Sequence, residues 1–467
     1  MFKTRQIPWA LASLSLSMLL SSLGTSIANV SLPTLAQAFN VTFQQVQWVV
    51  LAYLLAITTL IVSVGRLGDI FGRRRLLLGG IVLFTAASVL CAAAPALGWL
   101  LAARVAQGLG AATMMALTIA FVAETVPKSQ TGSAMGLLGT MSAVGTALGP
   151  SLGGVLVGGF GWRAIFWVNL PLGIAALMLA QRHLPVDRQS PPAARARFDA
   201  IGTLLLALSL GAYALAMTLG RGHFGALNMA LLLAAAAGTG LFVFSQSKVA
   251  SPLVQLAAFR DPALGASLAT NVLVATVVMA TFVVGPFYLS QSLGLNAATV
   301  GLVMAIGPAI SIVGGLLAGR VVDRWGAASA VKFGLGTMAA GAVALVVLPI
   351  VFGVVGYIAA IAILTPGYQL FQAANNTAVM LDVPADQRGV VSGLLSLSRN
   401  LGLVTGASAM GAVFAFAAGT TDITTAHPDA VATGLQTTFA VAALLITAAL
   451  AITVVSQRRT ETKTAPG

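Results

Sequence analysis

Charged side chains are scarce in this chain. Lys, Arg, Asp and Glu make up 7% of its 467 residues, against about 25% in ordinary globular proteins. None of the four occurs from residue 6 to residue 65. A charge-free stretch of that length cannot form the surface of a water-soluble domain, so the composition excludes a soluble globular protein.

Cysteine and histidine are also rare. The single cysteine, Cys91, excludes an intramolecular disulfide. The three histidines and all eleven acids fall in predicted loops or at predicted span ends, so we expect no metal site and no enzyme activity at membrane depth. The chain contains no Gly-x-x-x-x-Gly-Lys-Ser/Thr phosphate loop, which excludes ATP hydrolysis by this chain alone. We expect no cofactor.

Apolar residues dominate what is present: 58% of the chain is hydrophobic and the mean hydropathy is +0.96. A helix needs about 20 apolar residues to cross a bilayer. The apolar runs are continuous rather than alternating, which favours helices over a strand barrel. The sequence predicts fourteen spans, near 8–32, 46–64, 76–96, 98–121, 133–158, 164–181, 200–219, 226–246, 264–288, 297–318, 330–350, 354–380, 389–417 and 433–455.

Basic residues set the predicted orientation, because Lys and Arg collect in cytoplasmic loops. Two of them, Arg104 and Arg399, fall inside predicted spans. With the N-terminus in the cytoplasm, only Arg163 and Arg221 of the others face outward. We therefore expect a multi-pass protein of the plasma (inner) membrane with both termini cytoplasmic. The net charge of +13 is explained by these loops, and nucleic-acid binding is not expected.

A repeat divides the chain. The cluster Gly65-Arg66-Leu67-Gly68-Asp69-Ile70-Phe71-Gly72 after the second span has an imperfect copy, Gly319-Arg320-Val321-Val322-Asp323-Arg324-Trp325-Gly326, after the tenth. Two homologous six-helix halves with a two-helix insert are the simplest account. The predicted segments are a six-helix bundle at 1–182, a cytoplasmic linker at 183–198, an inserted helix pair at 199–250 and a second six-helix bundle at 251–467.

Four motifs carry a family resemblance. Gly65-x-Leu67-Gly68-Asp69-x-x-Gly72-Arg73-Arg74 resembles the loop 2–3 signature of the major facilitator superfamily. Gly145-x-x-x-Gly149-Pro150-x-x-Gly153-Gly154 and Arg104-x-x-Gln107-Gly108-x-Gly110 resemble motifs of its drug:proton antiporters. Phe198-Asp199-x-x-Gly202, which opens the extra helix pair, resembles the fourteen-span branch.

The resemblance implies the major-facilitator fold and proton-driven export of small organic compounds by alternating access. It implies that Asp69 faces the helix end at Arg388 and latches one state, and the glycines of this cluster are expected to form a tight turn. The implied switch residues are Gly65, Gly68, Asp69, Gly72, Arg73, Asp323 and Arg388. The implied antiporter motif is Gly145, Gly149, Pro150, Gly153 and Gly154, where a bare helix face allows sliding.

Polar residues inside spans supply further candidates, because intramembrane charge is costly and usually functional. The coupling candidates are Arg104, Arg399, Asp69, Glu124 and Asp261. The cavity candidates are the uncharged residues Asn29, Tyr53, Gln107, Asn271, Gln369, Gln372, Asn375 and Asn376, which need polar partners in lipid.

The chain departs from the family pattern in its first span, where Gly24 stands at the position at which many members of this branch carry an acid. With embedded cations and no embedded anion, the pocket is expected to favour neutral or anionic compounds and to handle quaternary ammonium compounds weakly. The expected partners are a small-molecule substrate and the lipid bilayer, and the chain is expected to act as a monomer. A uniporter or importer of a neutral or anionic metabolite is the alternative.

Overall fold

The computed structural model of the protein describes residues 7–125, 131–185, 199–219, 225–249, 252–254, 261–381, 388–419 and 426–464. Regular structure in these ranges is helical throughout. The helices are α1 (Ile7–Val30), α2 (Leu32–Phe39), α3 (Phe43–Val46), α4 (Trp48–Phe71), α5 (Arg73–Ala92), α6 (Leu97–Thr125), α7 (Thr131–Phe160), α8 (Ala164–Trp167), α9 (Asn169–His183), α10 (Ala200–Thr218), α11 (Ala226–Lys248), α12 (Pro262–Phe287), α13 (Ala297–Trp325), α14 (Ala327–Leu381), α15 (Arg388–Thr405), α16 (Gly411–Ala417) and α17 (Pro428–Thr464). Two π-helical segments, Tyr288–Ser292 and Gly406–Met410, extend α12 and α15.

Twelve helices among the described residues are long and apolar enough to cross a bilayer, and a bent pair within α13 makes thirteen. The bend is 44° between Ala297–Ile312 and Leu317–Trp325. This count differs from the predicted fourteen because Ala327–Met380 is one candidate of 54 residues. Gly353 interrupts that helix with φ 56° and ψ −128°, at the boundary predicted between the eleventh and twelfth spans.

The packing forms two compact units. Unit 1 comprises Met1–Val41, Val46–Tyr213 and Leu231–Leu253, and unit 2 comprises Thr42–Gln45, Ala214–Ala230 and Val254–Gly467. Both units thus contain parts of α10 and α11, and the separate inserted pair at 199–250 stays a prediction. The predicted linker lies mainly in 186–198, outside the described residues.

In unit 1, α1 packs against α7, α9 and α6, and α6 packs against α4 and α5. Its core includes Leu14, Tyr53 and Phe84. In unit 2, α12 packs against α15 and α17, and α14 packs against α13 and α17. These contacts place polar side chains of neighbouring helices side by side within each unit, which positions the groups described next.

Candidate functional site: buried polar clusters and glycine seams

Arg104 is completely buried in α6. Its Nε donates a hydrogen bond to the carbonyl of Val49 at 2.8 Å. Its terminal nitrogens donate to Gln107 Oε1 at 2.6 Å and to the carbonyl of Gly24 at 3.1 Å. The guanidinium also lies 4.1 Å from the centre of the Tyr53 ring. Main-chain carbonyls, an amide and an aromatic face therefore compensate this charge, and no carboxylate of the described residues pairs with it.

Tyr53 accounts for the absence of a side chain at position 24 of α1. A Cβ on Gly24 would lie 2.6 Å from Tyr53 Oη, so the tyrosine hydroxyl occupies the space into which a side chain at position 24 would extend. The same hydroxyl donates to the carbonyl of Ser21 at 2.7 Å. Gly108 permits the approach of α6 to α4, because a Cβ there would lie 2.6 Å from the Tyr53 carbonyl oxygen.

Gln107 extends this network to a fourth helix. Its Nε2 donates to Ser88 Oγ on α5 at 2.7 Å. Ser88 in turn donates to the carbonyl of Phe84 at 2.8 Å. Like Arg104, Tyr53 and Gln107 have no exposed surface, so the structure places these predicted cavity residues in contacts between helices. Their part in substrate binding stays a prediction.

The antiporter-like motif of α7 forms a seam with α1. A Cβ on Gly145 would overlap the carbonyl oxygen of Leu19, and one on Gly149 would overlap Ser26 Oγ. A Cβ on Gly153 would lie 2.8 Å from Val30 Cγ1. Pro150 and Gly154, the other motif residues, are buried in the same helix. The spacing of four residues puts the three glycines on one face, where the backbones of α1 and α7 meet directly.

The two copies of the charged cluster share one turn geometry. Gly72 ends α4 with φ 91° and ψ 128°, and Gly326 ends α13 with φ 77° and ψ 152°. Their amides donate to the carbonyls four residues earlier, Gly68 and Val322, at 3.0 and 2.9 Å. Only a residue that tolerates positive φ fits either position, so the sequence repeat is also a repeat in backbone structure.

The turn expected within 65–75 lies at Gly72, because α4 continues through Phe71 and Gly72 alone has positive φ in this range. Asp69 therefore lies in the last helical turn, and nothing lies within 4 Å of a Cβ on Gly65. The side chains of Asp69 and Arg388 are outside those that the structure describes. Their predicted contact stays a prediction, as does the role of Arg73.

The acids that the structure describes lie at helix caps or within three residues of a helix end. They are Asp69, Glu124, Asp199, Asp261, Asp323, Asp429 and Glu461. Asp261 caps α12, since its Oδ1 accepts from the amide of Ala263 at 2.9 Å. The side chain of Glu124 is not described. No group of three His, Cys, Asp or Glu among the described residues is arranged to hold a metal ion.

Three helices of unit 2 share a polar cluster. Asn271 on α12 donates to the carbonyl of Leu395 at 3.1 Å and to Ser398 Oγ at 2.8 Å, both on α15. One turn earlier, Ser267 bonds Asn375 Oδ1 of α14. Arg399, next to Ser398, is partly buried, and its Nε is buried without a hydrogen-bond partner in the part of the chain that the structure describes.

The remaining cavity candidates are dispersed. Gln369 donates to the carbonyl of Ser311 at 3.2 Å, and Gln372 has a buried Oε1 without a partner. Asn376 is exposed, whereas Asn29 is buried with an unpaired Oδ1. Gln369, Gln372 and Asn376 have the spacing of one helix face but differ in exposure and partners, and their part in lining a cavity stays a prediction.

Sequence reasoning missed Ser21, Ser88, Ser267, Ser398 and Asn400. The sequence does not distinguish these serines, because many serines in apolar helices donate hydrogen bonds only to carbonyls of their own helix. Asn400 could have been identified from the sequence, because it directly follows Arg399 within a predicted span. Asn400 is buried, and its Nδ2 has no hydrogen-bond partner among the residues that the structure describes.

Comparisons with known proteins agree on the family. The chain is 32% identical over 417 residues to "Multidrug resistance protein Stp" of Mycobacterium tuberculosis (strain CDC 1551 / Oshkosh), covering 87% of this chain and 75% of Stp. It is 29% identical over 445 residues to "Riboflavin transporter RibZ" of Clostridioides difficile (strain 630), covering 95% and 96%. A crystal structure of a bacterial homologue of the human lysosomal transporter Spinster shares the fold, with a TM-score of 0.70 over 98% of both chains at 16% identity. The family model of the Major Facilitator Superfamily matches residues 14–407. The chain is therefore a multi-pass membrane transporter that belongs to this superfamily.

Proposed function

We propose that this transporter is a secondary active exporter of small organic compounds that exchanges its substrate for protons by alternating access. The α1–α7 seam carries the proposal, because three glycines on one face of α7 remove the side chains that would prevent α1 from sliding. The multidrug resistance name of the Stp relative supports the same assignment.

Fourteen crossings are part of the proposal. A straight helix over Ala327–Met380 would be about 81 Å long, more than twice the roughly 30 Å hydrocarbon core. The non-helical backbone at Gly353 supports two crossings there. With the bent pair of α13 as one crossing, the total is fourteen. The basic loops support the further proposal that both termini lie in the cytoplasm and that the membrane is the plasma (inner) membrane.

The proposed energy source is the proton gradient, without a cofactor, and the proposed working unit is a monomer in the lipid bilayer. The candidate proton carriers are Asp69, Glu124 and Asp261, which lie at or next to helix ends. A carboxylate on the substrate is the other candidate. The placement of the described acids supports both routes, since none of these acids lies in the middle of a membrane helix.

A uniporter or importer of a neutral or anionic metabolite is the second candidate. The similarity to RibZ over 95% of this chain favours it. The two candidates differ in energy coupling, because a uniporter carries substrate down its own gradient and gains nothing from a pH gradient.

The deciding experiment uses purified protein in sealed vesicles containing a pH-sensitive dye. A panel of anionic, neutral and quaternary ammonium compounds is tested for counterflow with and without an imposed pH gradient, with protein-free vesicles as control. We expect transport of anionic or neutral compounds to accelerate with the gradient and to move protons in the opposite direction. Equal rates with and without the gradient would favour the second candidate.

A further inference from the structure

The short helix α3 packs in unit 2, although the chain on both sides of it packs in unit 1. Residues Thr42–Gln45 belong to unit 2, whereas the chain up to Val41 and the chain from Val46 onward belong to unit 1. α3 has only four residues, which is too short for a helix to be stable by itself. Its position in unit 2 therefore depends on what its side chains contact.

Phe43 anchors α3 in an aromatic pocket of unit 2. The centre of its ring lies 4.7 Å from that of Phe287, at 87°, and 5.4 Å from that of Phe414, at 66°. These edge-to-face arrangements are favourable for aromatic pairs, and none of the three side chains has exposed surface. A Cβ on Gly434 would lie 2.8 Å from the Phe414 ring. α12, α16 and α17 therefore all contribute to the pocket.

Gln44, the next residue, opposes this anchorage. It is 6% exposed, and its Nε2 and Oε1 are both buried without a hydrogen-bond partner among the described residues. Burial deprives this amide of its hydrogen bonds to water and supplies none in return, which destabilises the docked position of α3. In water the same amide would regain them. Phe43 therefore favours the docked position, and Gln44 favours release.

The helices that receive Phe43 have irregular backbone next to the pocket. Phe287 directly precedes the π-helical segment Tyr288–Ser292, and Phe414 follows the π-helical segment Gly406–Met410 by one helical turn. Such segments are rare in proteins and frequently lie at functional sites. Their position beside both receiving rings supports a role for this pocket beyond packing.

We propose that α3 is a detachable strap, which Phe43 holds in the aromatic pocket and which leaves that pocket during each transport cycle. The inference rests on the proposed function, because alternating access displaces one half of the fold against the other and the chain flanking α3 belongs to unit 1. Since release is then a step of the cycle, tighter docking slows transport. The unpaired amide of Gln44 keeps docking weak enough for release.

Cysteine labelling tests release in the purified protein. In Gln44→Cys, N-ethylmaleimide reacts with position 44 and with the native Cys91, which has no exposed surface, and peptide mass spectrometry separates the two sites. We expect position 44 to react at least a hundredfold faster, because local release exposes it whereas only unfolding exposes Cys91. Adding Phe43→Ala should raise the rate at position 44 at least tenfold. Phe43→Leu should raise it by a smaller factor and serves if Phe43→Ala fails to fold.

Phe39→Ala is the matched control for the anchor. Phe39 lies on α2, and its ring centre is 5.2 Å from that of Trp162, within unit 1. Its removal should leave the labelling rate at position 44 within twofold. Equal rates at position 44 and Cys91 would overturn the proposal, because α3 would then leave its pocket only on unfolding. Equal acceleration by Phe39→Ala and Phe43→Ala would overturn it as well.

Transport tests the role of Gln44. Gln44→Met removes the unpaired amide at similar side-chain size, so the unfolding midpoint should rise while the transport rate falls at least threefold. A merely structural residue would not combine these effects. Asn169→Leu is the matched control, since Asn169 is also completely buried with both amide atoms unpaired among the described residues. It should raise the midpoint and leave transport unchanged. Phe43→Ala added to Gln44→Met should restore at least half of the wild-type rate.

The transport probes are 5-carboxyfluorescein and ethidium, followed in sealed vesicles with and without a pH gradient. Wild-type transport in Gln44→Met, equal slowing by Asn169→Leu, or no rescue by Phe43→Ala overturns the strap. If the wild type moves neither probe, the exporter assignment fails for these compounds and labelling alone decides the strap. If the gradient drives transport but position 44 reacts no faster than Cys91, the exporter stands and the strap fails.

Discussion

Alanine at Gly149 tests whether the α1–α7 seam depends on bare backbone. The new Cβ would lie 2.6 Å from Ser26 Cβ and 2.8 Å from the backbone nitrogen of Ile27, and it would overlap Ser26 Oγ. Since carbon atoms pack at about 3.5–4.0 Å, the two helices must separate locally by about 1 Å. Overpacking of this kind costs about 1–3 kcal/mol.

The intrinsic preference of alanine for helix opposes this cost by about 0.8–1 kcal/mol. We therefore expect Gly149→Ala to lower the free energy of unfolding by up to about 2 kcal/mol. Two other glycines of α7, Gly139 and Gly159, are matched controls, because nothing lies within 4 Å of a Cβ on either. Alanine at these positions should leave stability unchanged or raise it.

The assay is thermal unfolding of the purified variants in one detergent, followed by counterflow in vesicles. We expect Gly149→Ala to have the lowest unfolding midpoint and to lose at least tenfold in transport rate, because the proposed mechanism moves α1 along α7. Ser26→Gly in the same chain removes the Cβ and Oγ overlaps but leaves Ile27 in place, so it should restore part of the stability. Equal midpoints for Gly149→Ala and Gly159→Ala would refute the reasoning.

Three further expectations follow from the described contacts. Arg104→Lys replaces a guanidinium that donates to three acceptors with a single ammonium, so the unfolding midpoint should fall by the equivalent of about 2 kcal/mol. Wild-type stability and transport in this variant would contradict a stabilising role for these hydrogen bonds. Asp199→Ala should cost about 1–2 kcal/mol in the same assay, because Asp199 accepts from the amide of Gly202 and from Gln246 Nε2; Gln246→Ala should then add little, and full additivity would argue against the pair. Cysteine tags at both chain ends should resist a membrane-impermeant thiol reagent in intact cells, whereas labelling of one end alone would exclude an even number of crossings.

The backbone repeat was predictable from sequence because glycine reports directly on backbone conformation. The recurrence of the charged cluster identified Gly72 and Gly326 as equivalent, and both have positive φ at a helix boundary. Predicted spans ending at 350 and beginning at 354 likewise enclose Gly353. The position of Asp69 was less predictable, because no local signal shows that α4 continues to Phe71.

The partners of the arginines could not be read from the sequence. Arg104 donates to the main-chain carbonyls of Val49 and Gly24. Because every residue has a main-chain carbonyl, the amino-acid sequence cannot show which ones accept these hydrogen bonds. Both Arg104 and Arg399 lie inside predicted spans, so the sequence alone made both of them coupling candidates. Tertiary packing separates them: the described residues supply three acceptors to Arg104 but none to the Nε of Arg399.

The charge distribution limits how protons and substrate can be coupled in the proposed exchange. The coupling candidates Arg104 and Arg399 place positive charge inside predicted spans, and intramembrane charge of this kind favours a negatively charged partner. The acids that the structure describes lie at or near helix ends, and none of them lies in the middle of a helix. A substrate carboxylate would bring the missing negative charge with it. In that case the acid that titrates during transport would belong to the cargo and not to the protein.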